Sequence, residues 1–212
     1  EALGPGARPT VAALYRQAGL VEAGERVLRE WVSQQPAQAE AHFHLGSFLY
    51  QENRFEEAEN ALREALRLNP ADASALNYLG YSLAERSTRL DEALELVRRA
   101  LAIQATNGAF LDSLGWVYYQ QGRYEEAREP LERAAREYPW DPTVLEHLGD
   151  LYMKVGETDR AVEAWTRALE ARPEDPAALR AKIDRAGLTS QERREPDSDR
   201  GGDPGPETPY QP

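Results

Sequence analysis

Histidines and paired carboxylates are the residues of this chain that could carry acid–base chemistry or hold a metal. His42 and His44 lie two residues apart, so a helix directs them to different faces, unlike the i, i+4 pair of a zinc-binding helix. His147 stands alone in the sequence. The carboxylate pairs come at predicted helix starts, where negative charge complements the helix dipole, and they are Glu56-Glu57, Asp91-Glu92 and Glu125-Glu126. None of these patterns forms a catalytic or metal-binding constellation, so we expect no enzymatic activity, no cofactor and no metal.

The composition narrows the classes of partner. The chain has 212 residues, with 37 Asp or Glu against 25 Lys or Arg and a formal net charge of -12. Nucleic acid rewards clustered Lys and Arg, so the charge argues against a nucleic-acid partner. The absence of cysteine excludes disulfides and thiolate metal sites. Apolar runs are only a few residues long, so the sequence predicts no membrane span.

Pairs of amphipathic segments must position any site in this chain. Between Gly108 and Asp141, apolar residues recur three and four positions apart, first at Leu111, Leu114 and Tyr118, then at Ala127, Leu131 and Ala134. This period predicts two helices with one apolar face each, separated by a turn at Gln121-Gly122-Arg123. Because such a pair cannot bury its apolar faces alone, it needs neighbours of the same kind.

The same pattern recurs along the chain at steps of 34 or 35 residues. Leu-Gly occurs at Leu45-Gly46, Leu79-Gly80, Leu114-Gly115 and Leu148-Gly149, and an alanine of the second helix follows at Ala58, Ala93, Ala127 and Ala161. Prolines close most of the units, at Pro36, Pro70, Pro139 and Pro173. In these columns the chain resembles the tetratricopeptide repeat (TPR) family. The resemblance implies an all-α, right-handed superhelical solenoid of about five helix-turn-helix units plus a C-terminal capping helix, acting as a protein-binding scaffold.

The repeat register predicts the domain organisation. Residues 1–8 read as a disordered N-terminal remnant, 9–187 as the solenoid, and 188–212 as a disordered acidic tail rich in Pro and Gly. The units are expected at about 5–38, 39–72, 73–107, 108–141 and 142–175, with a cap at 176–187 that Gly187 ends. Asp72, Asn107, Asp141 and Asp175 are expected to cap helices. The third unit has one extra residue near Arg86–Arg89, either as neutral drift or as a contact point.

The resemblance also implies a binding surface, because first helices of TPR units line a concave groove. The groove columns of the family fall on Phe43, Ser47, Tyr50, Asn77, Tyr81, Asp112, Trp116, Tyr119, Glu146, Asp150 and Met153. Aromatic residues and Met beside acids suggest a peptide or helix of a partner protein with apolar anchors and basic residues. The alternative for Tyr81 and Trp116 is that they only pack on an adjacent first helix.

One well-known TPR chemistry does not fit this chain. The chaperone carboxylate clamp needs Lys, Asn and Arg in the groove columns, where this sequence has Phe43, Ser47, Asn77 and Asp112. The sequence therefore disfavours a receptor for chaperone tails.

Three functions remain open at this point. The pair Asn77–Tyr81 and Leu111–Trp116 is similar to bacterial TPR adaptors, some of them periplasmic or associated with the outer membrane. This resemblance favours a groove-binding adaptor in that location, with a cytoplasmic location otherwise. The second function is a regulatory TPR arm of a larger enzyme or protease complex. The third is a structural protein that self-associates weakly through its first repeat, where a charged replacement of Trp31 would be the test.

Overall fold

The computed structural model describes residues 5–173 and 175–194. This part of the chain is helical and contains no strand. A 3-10 turn at Pro5–Ala7 precedes the helices. The helices are α1 (Arg8–Gln17), α2 (Val21–Gln34), α3 (Ala39–Gln51), α4 (Phe55–Leu68), α5 (Ala73–Glu85), α6 (Leu90–Ile103), α7 (Gly108–Gln120), α8 (Tyr124–Glu137), α9 (Pro142–Lys154), α10 (Thr158–Glu170) and α11 (Pro176–Arg194).

The helices form five successive pairs followed by α11. Within each pair the two helices pack along each other, and the second helix of a pair also packs on the first helix of the next pair. No contact between distant units is needed to build the core, which is the arrangement of a solenoid. The all-α solenoid expected from the repeat register is therefore confirmed.

The Leu-Gly column explains how closely the helices of one pair approach. A Cβ added to Gly115 would lie 2.4 Å from Leu131 Cγ, and one added to Gly149 would lie 2.4 Å from Trp165. Such distances are shorter than carbon contacts allow, so glycine lets the second helix lie directly on the first. Of the leucines in this column, Leu114 is only half-buried, whereas the other three are buried.

Side-chain caps begin four helices as the sequence indicates. The carboxylate of Asp72 accepts a hydrogen bond from the amide of Ala75. Asn107 accepts from the two amides at the start of α7, and Asp141 does the same for α9. Asp175 accepts from the amides of Ala177 and Ala178. Each cap satisfies backbone donors that the first turn of a helix leaves open.

The turn inside each pair contains a residue with left-handed backbone. Gly19, Asn53, Gly122 and Gly156 hold this position in three-residue turns, with φ between 58° and 83°. The third turn, Arg86–Arg89, has four residues and two left-handed ones, Ser87 at 49° and Arg89 at 47°. The extra residue of the third unit is thus absorbed by a second left-handed residue.

Two expectations about the chain ends were wrong within the described residues. Residues 5–8 are ordered in the 3-10 turn and the start of α1, because Pro9 suits a helix start and Arg8 donates to Gln34 at 2.7 Å. Helix α11 does not end at Gly187 but continues to Arg194. One glycine costs a helix only about 1 kcal/mol, and the Gln, Glu and Arg residues that follow are good helix formers. Residues 1–4 and 195–212, also predicted to be disordered, lie outside the described residues.

The outer wall of the array, formed by the second helices, carries ion pairs between neighbouring units. Examples are Arg29 with Glu57, Arg63 with Glu92 and Arg160 with Glu132, at 2.6–3.1 Å. These side chains are largely exposed, so each pair contributes little to stability, about 0–1 kcal/mol.

Trp31 lies in the core and not on a self-association surface. Its side chain is fully buried in α2, and its indole nitrogen donates to Gln35 at 3.2 Å and Gln38 at 2.9 Å. A charged residue at position 31 would therefore disrupt the first unit itself, so this substitution cannot test self-association.

Candidate partner-binding groove

The first helices line the inner face of the array. The helix α7 contacts both α5 and α9 directly, whereas contacts between successive second helices are fewer. Since elements on the inner side of a curved array lie closer together, the concave face is formed by α3, α5, α7 and α9. Two cavities open along this face.

The larger cavity has a volume of about 600 Å³ and lies between α5, α7, α9 and the start of α11. Its aromatic lining residues are Tyr81, Trp116 and His147. Carboxylates from five positions border it, namely Glu85, Asp141, Glu146, Asp150 and Asp175, and its cationic residues besides His147 are Arg172 and Lys182. This part of the concave face is therefore aromatic at its base and predominantly acidic around it.

The second cavity, of about 530 Å³, adjoins the first at Glu85. It is bordered by Tyr50, Phe55, Arg16 and Arg86 together with polar residues of α3 and the turn that follows. Because Glu85 lines both cavities, the two form one continuous surface, which we call the groove.

The eleven residues that the family resemblance assigns to the groove lie on this face, but their side chains differ in exposure. Five of the eleven border the two cavities: Tyr50, Tyr81, Trp116, Glu146 and Asp150. The side chains of Asp112 and Trp116 are buried, and the remaining nine are half-buried. Ser47 lines a smaller cavity between α1 and α3. Phe43, Asn77, Tyr119 and Met153 line none of these three cavities.

Trp116 does not stand free in the groove as expected. Its ring is stacked between His147, with centroids 4.0 Å apart, and Tyr119, with centroids 4.7 Å apart, and only 9% of the residue is exposed. Both faces of the indole are occupied because the next first helix brings His147 onto it. Trp116 is therefore chiefly a packing residue between α7 and α9, as in the alternative interpretation of the sequence.

Asp112 is not a surface charge either, because it forms a buried ion pair with His147. Both carboxylate oxygens lie 3.0 Å from Nδ1 of His147, and both residues are 5% exposed. Burial by itself lowers the pKa of His147, but the charge and hydrogen bonding of Asp112, with smaller contributions from Glu85 and Asp150, outweigh it and raise the pKa. The pair links α7 to α9.

Sequence reasoning missed His147 although a positional signal existed. Asp112 and His147 lie 35 residues apart, and so do Phe43 and Tyr78, whose rings form an edge-to-face contact at 6.0 Å. In both cases, the residue two before Leu in the Leu-Gly column meets the residue one before Leu in the next unit. Reading adjacent columns together would have paired His147 with Asp112.

Tyrosines of α3 and α5 form the aromatic wall around Glu85. Tyr50 makes edge-to-face contacts with Tyr78 at 5.5 Å and Tyr81 at 6.4 Å. Burial raises the pKa of both Tyr50 and Tyr81, and the nearby charge of Glu85 adds to the rise. Phenol groups in this wall thus remain protonated and able to donate hydrogen bonds at neutral pH.

The acids at the far end of the groove are already paired within the chain. Lys182 of α11 lies 2.7 Å from Glu146 and 2.7 Å from Asp150, and Asp150 also accepts from the indole of Trp165. The two carboxylates draw Lys182 over α9. Leu179 on the same helix is fully buried and Ile183 packs against the core.

The other two histidines, His42 and His44, contact other residues of the chain. His42 Nε2 lies 2.9 Å from the carbonyl oxygen of Pro36, and His44 stacks on Trp31 with centroids 5.8 Å apart. Within residues 5–173 and 175–194, no three His, Asp or Glu side chains come together as metal ligands. In the same described ranges, no helix combines the length and apolarity that crossing a membrane would require.

Comparisons with known proteins agree with this architecture. Two family profiles, both described as Tetratricopeptide repeat, match this chain, one at residues 12–61 and 49–110 and the other at 84–137 and 118–183. A TPR repeat-containing protein of Pseudomonas aeruginosa is 51% identical over 49 residues, which is 23% of this chain. The match spans only 8% of that longer relative.

Solved structures share the fold at low sequence identity. The type IV pilus biogenesis factor PilW has a TM-score of 0.74 at 20% identity, over 88% of this chain and 87% of its own. A thermophilic TPR protein of Thermus thermophilus has a TM-score of 0.71 at 20% identity, over 87% of this chain and 100% of its own. PilF of Pseudomonas aeruginosa has a TM-score of 0.67 at 23% identity, over 89% and 91%. With repeat profiles matched from residue 12 to residue 183, the chain belongs to the tetratricopeptide repeat family.

Proposed function

We propose that this protein is a non-enzymatic scaffold that binds a segment of a partner protein in the groove of α3, α5, α7 and α9. The observation that carries the proposal is the pair of adjoining cavities, about 600 and 530 Å³, that meet at Glu85. A continuous surface of this kind suits an extended peptide or one face of a helix. The TPR fold, which is typical of protein-interaction scaffolds, supports it.

The half-buried tyrosines of the groove supply the anchoring surface. Tyr50 and Tyr81 border the cavities, and Tyr119 lies beside Trp116 on α7. Their rings are held by neighbouring aromatic side chains, so a partner that covers them immobilises few new side-chain torsions. Rigid aromatic residues with a polar tip are common binding anchors in protein interfaces.

A catalytic role has little support in the described residues. His147 is buried in its ion pair with Asp112, and Glu146 and Asp150 are held by Lys182. These three groups are therefore engaged in holding helices together. A scaffold function uses the surface without requiring any of them to titrate during a reaction.

Selection of peptides on the whole chain tests the groove. Dodecapeptides enriched from a random phage library should bind the purified protein, and their amide chemical-shift changes should cluster on α3, α5, α7 and α9. Tyr50→Ala should weaken the binding of such a peptide by about tenfold or more. Circular dichroism of the variant checks that the helices persist.

The matched control is Trp140→Ala, because Trp140 is the most exposed large apolar residue of the described chain, at 71%, and borders neither cavity of the groove. This change should leave peptide affinity unaltered. Failure to enrich any peptide, or shift changes confined to the second helices, would overturn the proposed function.

A further inference from the structure

Glu85 occupies the centre of the groove at the C-terminal end of α5. It borders both cavities, and its side chain is exposed. The charge of Glu85 reaches Tyr50, Tyr81 and His147, since it contributes to the raised pKa of each of them. A ligand in either cavity would therefore meet this carboxylate.

The other carboxylates around the larger cavity already have a partner within the chain. Glu146 and Asp150 are paired with Lys182 at 2.7 Å. Asp141 and Asp175 accept hydrogen bonds from the first amides of α9 and α11. Their charge is thus compensated by a cation or by a helix N-terminus.

No such cation stands beside Glu85 in the part of the chain that the structure describes. The adjacent Arg86 has its guanidinium over the Phe55 ring, 5.4 Å from the centroid, with one nitrogen 3.9 Å from Glu59. Among the described residues, no Lys, Arg or His nitrogen forms an ion pair with Glu85. The Tyr81 hydroxyl hydrogen-bonds to this carboxylate, but no cation of the described chain compensates its negative charge, which is therefore available to a ligand.

The surroundings of Glu85 determine which ligand chemistry fits. Counting the described residues, the larger cavity combines five carboxylates with two cations besides His147, so its field favours positive charge. Arg16 and Arg86 border the second cavity. The excess of negative charge is therefore confined to the larger cavity, on the side of Tyr81 and Trp116. Both faces of Trp116 are covered by His147 and Tyr119, so this ring offers no face to a cation. The tyrosines of the aromatic wall are left as the surface on which the aliphatic stem of a long side chain can pack.

We propose that Glu85 is the anchor for a Lys or Arg side chain of the partner segment, with the aliphatic stem of that side chain against Tyr81. This assignment rests on the proposed function of the groove. It adds that the groove selects a positively charged residue of the partner segment. The partner segment carries its basic residue over the larger cavity and its apolar residues toward Tyr50.

A charge-swap series on the selected dodecapeptides tests the assignment. Enriched peptides should share a Lys or Arg, and replacing this residue by Gln should weaken binding to the unaltered protein by about tenfold. Glu85→Gln should weaken the basic peptide to a similar extent and leave the Gln peptide unaffected, because the two charges act only on each other. Gln keeps an oxygen that can accept from Tyr81, so the fold should persist.

The control is Glu95→Gln, which removes one negative charge from an exposed position on α6 outside the groove. It should change the affinity of the basic peptide by less than twofold, as expected for a distant exposed charge. Peptides that bind the groove without any basic residue, or whose affinity ignores Glu85→Gln, would overturn the assignment while leaving the groove intact. Failure to select peptides on the groove would overturn the proposed function and the assignment together.

Discussion

Asp112 and His147 join two neighbouring first helices through an ion pair in which both carboxylate oxygens lie 3.0 Å from the same imidazole nitrogen. Both residues are buried at the base of the groove. The charged groups that face His147 come from three helices: Asp112 from α7, Glu85 from the end of α5 and Asp150 from α9. Protonation of His147 is thus linked to the packing of α5, α7 and α9.

This pair predicts a pH dependence of the free energy of unfolding. The pKa of His147 is raised in the folded chain above its ordinary value of 6.5, so the folded state holds the proton more tightly than the unfolded chain. The contribution of His147 is complete below pH 6.5 and is lost as the pH rises through the raised pKa. Urea unfolding of His147→Gln across this range should therefore show a smaller fall in stability with rising pH than the unaltered chain.

His44 supplies a control of opposite sign. Burial lowers its pKa despite the charges of Glu40 and Asp72, so its contribution is lost as the pH falls below 6.5. His44→Gln should consequently remove a rise in stability with rising pH below 6.5 and leave the fall above pH 6.5 unchanged. Parallel pH profiles for the unaltered chain and His147→Gln would contradict the assigned role of the ion pair.

Trp116→Ala should destabilise the fold. The indole is buried between His147 and Tyr119, and its removal leaves a cavity between α7 and α9. We expect the free energy of unfolding to fall by about 3–5 kcal/mol, measured by urea titration of the helical circular dichroism signal. Trp116→Phe, which keeps an aromatic ring in the stack, should cost clearly less. An unchanged unfolding midpoint for Trp116→Ala would mean that the ring is free for a partner after all.

Two glycine replacements should have opposite effects. Gly115→Ala forces a Cβ to 2.4 Å from Leu131, so overpacking should lower the free energy of unfolding by about 1–3 kcal/mol. Gly187→Ala adds its Cβ in open space within α11, where alanine is the better helix former and should add about 0.5–1 kcal/mol. Thermal unfolding of both variants is the measurement, and a stabilised Gly115→Ala would contradict the close approach of α7 and α8.

Lys182→Gln should loosen the C-terminal end of the array and leave its other end intact. The change leaves Glu146 and Asp150 side by side without their cation, at a cost of about 1–3 kcal/mol. Because a solenoid transmits stability mainly between neighbours, amide hydrogen exchange should rise in α9–α11 and stay constant in α3–α6. Arg180→Gln, an exposed position on the same helix, is the charge-matched control and should change neither region.

The fold could be predicted well from the sequence because it depends on contacts between residues that are close together in the chain. Leu-Gly, the alanine columns and the helix caps act between residues of one unit or the next, and all of them lie within about 35 positions in the chain. The start of α9 at Pro142 follows from Asp141 and the proline alone. The ends were harder to predict, because a glycine such as Gly187 permits either a helix stop or its continuation.

The groove was predictable only to the level of which helix faces contribute. Column position identifies Asp112 and Trp116 as inward-facing, but their exposure depends on the residue that the next unit places beside them. His147 covers one face of Trp116 and pairs with Asp112, whereas among the described residues no Lys, Arg or His forms an ion pair with Glu85. These outcomes depend on side-chain pairing between units, which a column taken by itself does not contain.

The four-residue turn between α5 and α6 has a consequence for how arrays of this kind can evolve. It holds one residue more than the other turns inside the pairs, yet Gly80 and Ala93 keep their places in the core. An insertion in such a turn costs the local strain of one left-handed residue, about 1–2 kcal/mol, and does not shift the register of the helices. Unit length can therefore drift over many generations while the inner columns stay aligned. Because Arg86 of this turn borders the second cavity, insertions here can change the rim of the groove without moving its inner columns.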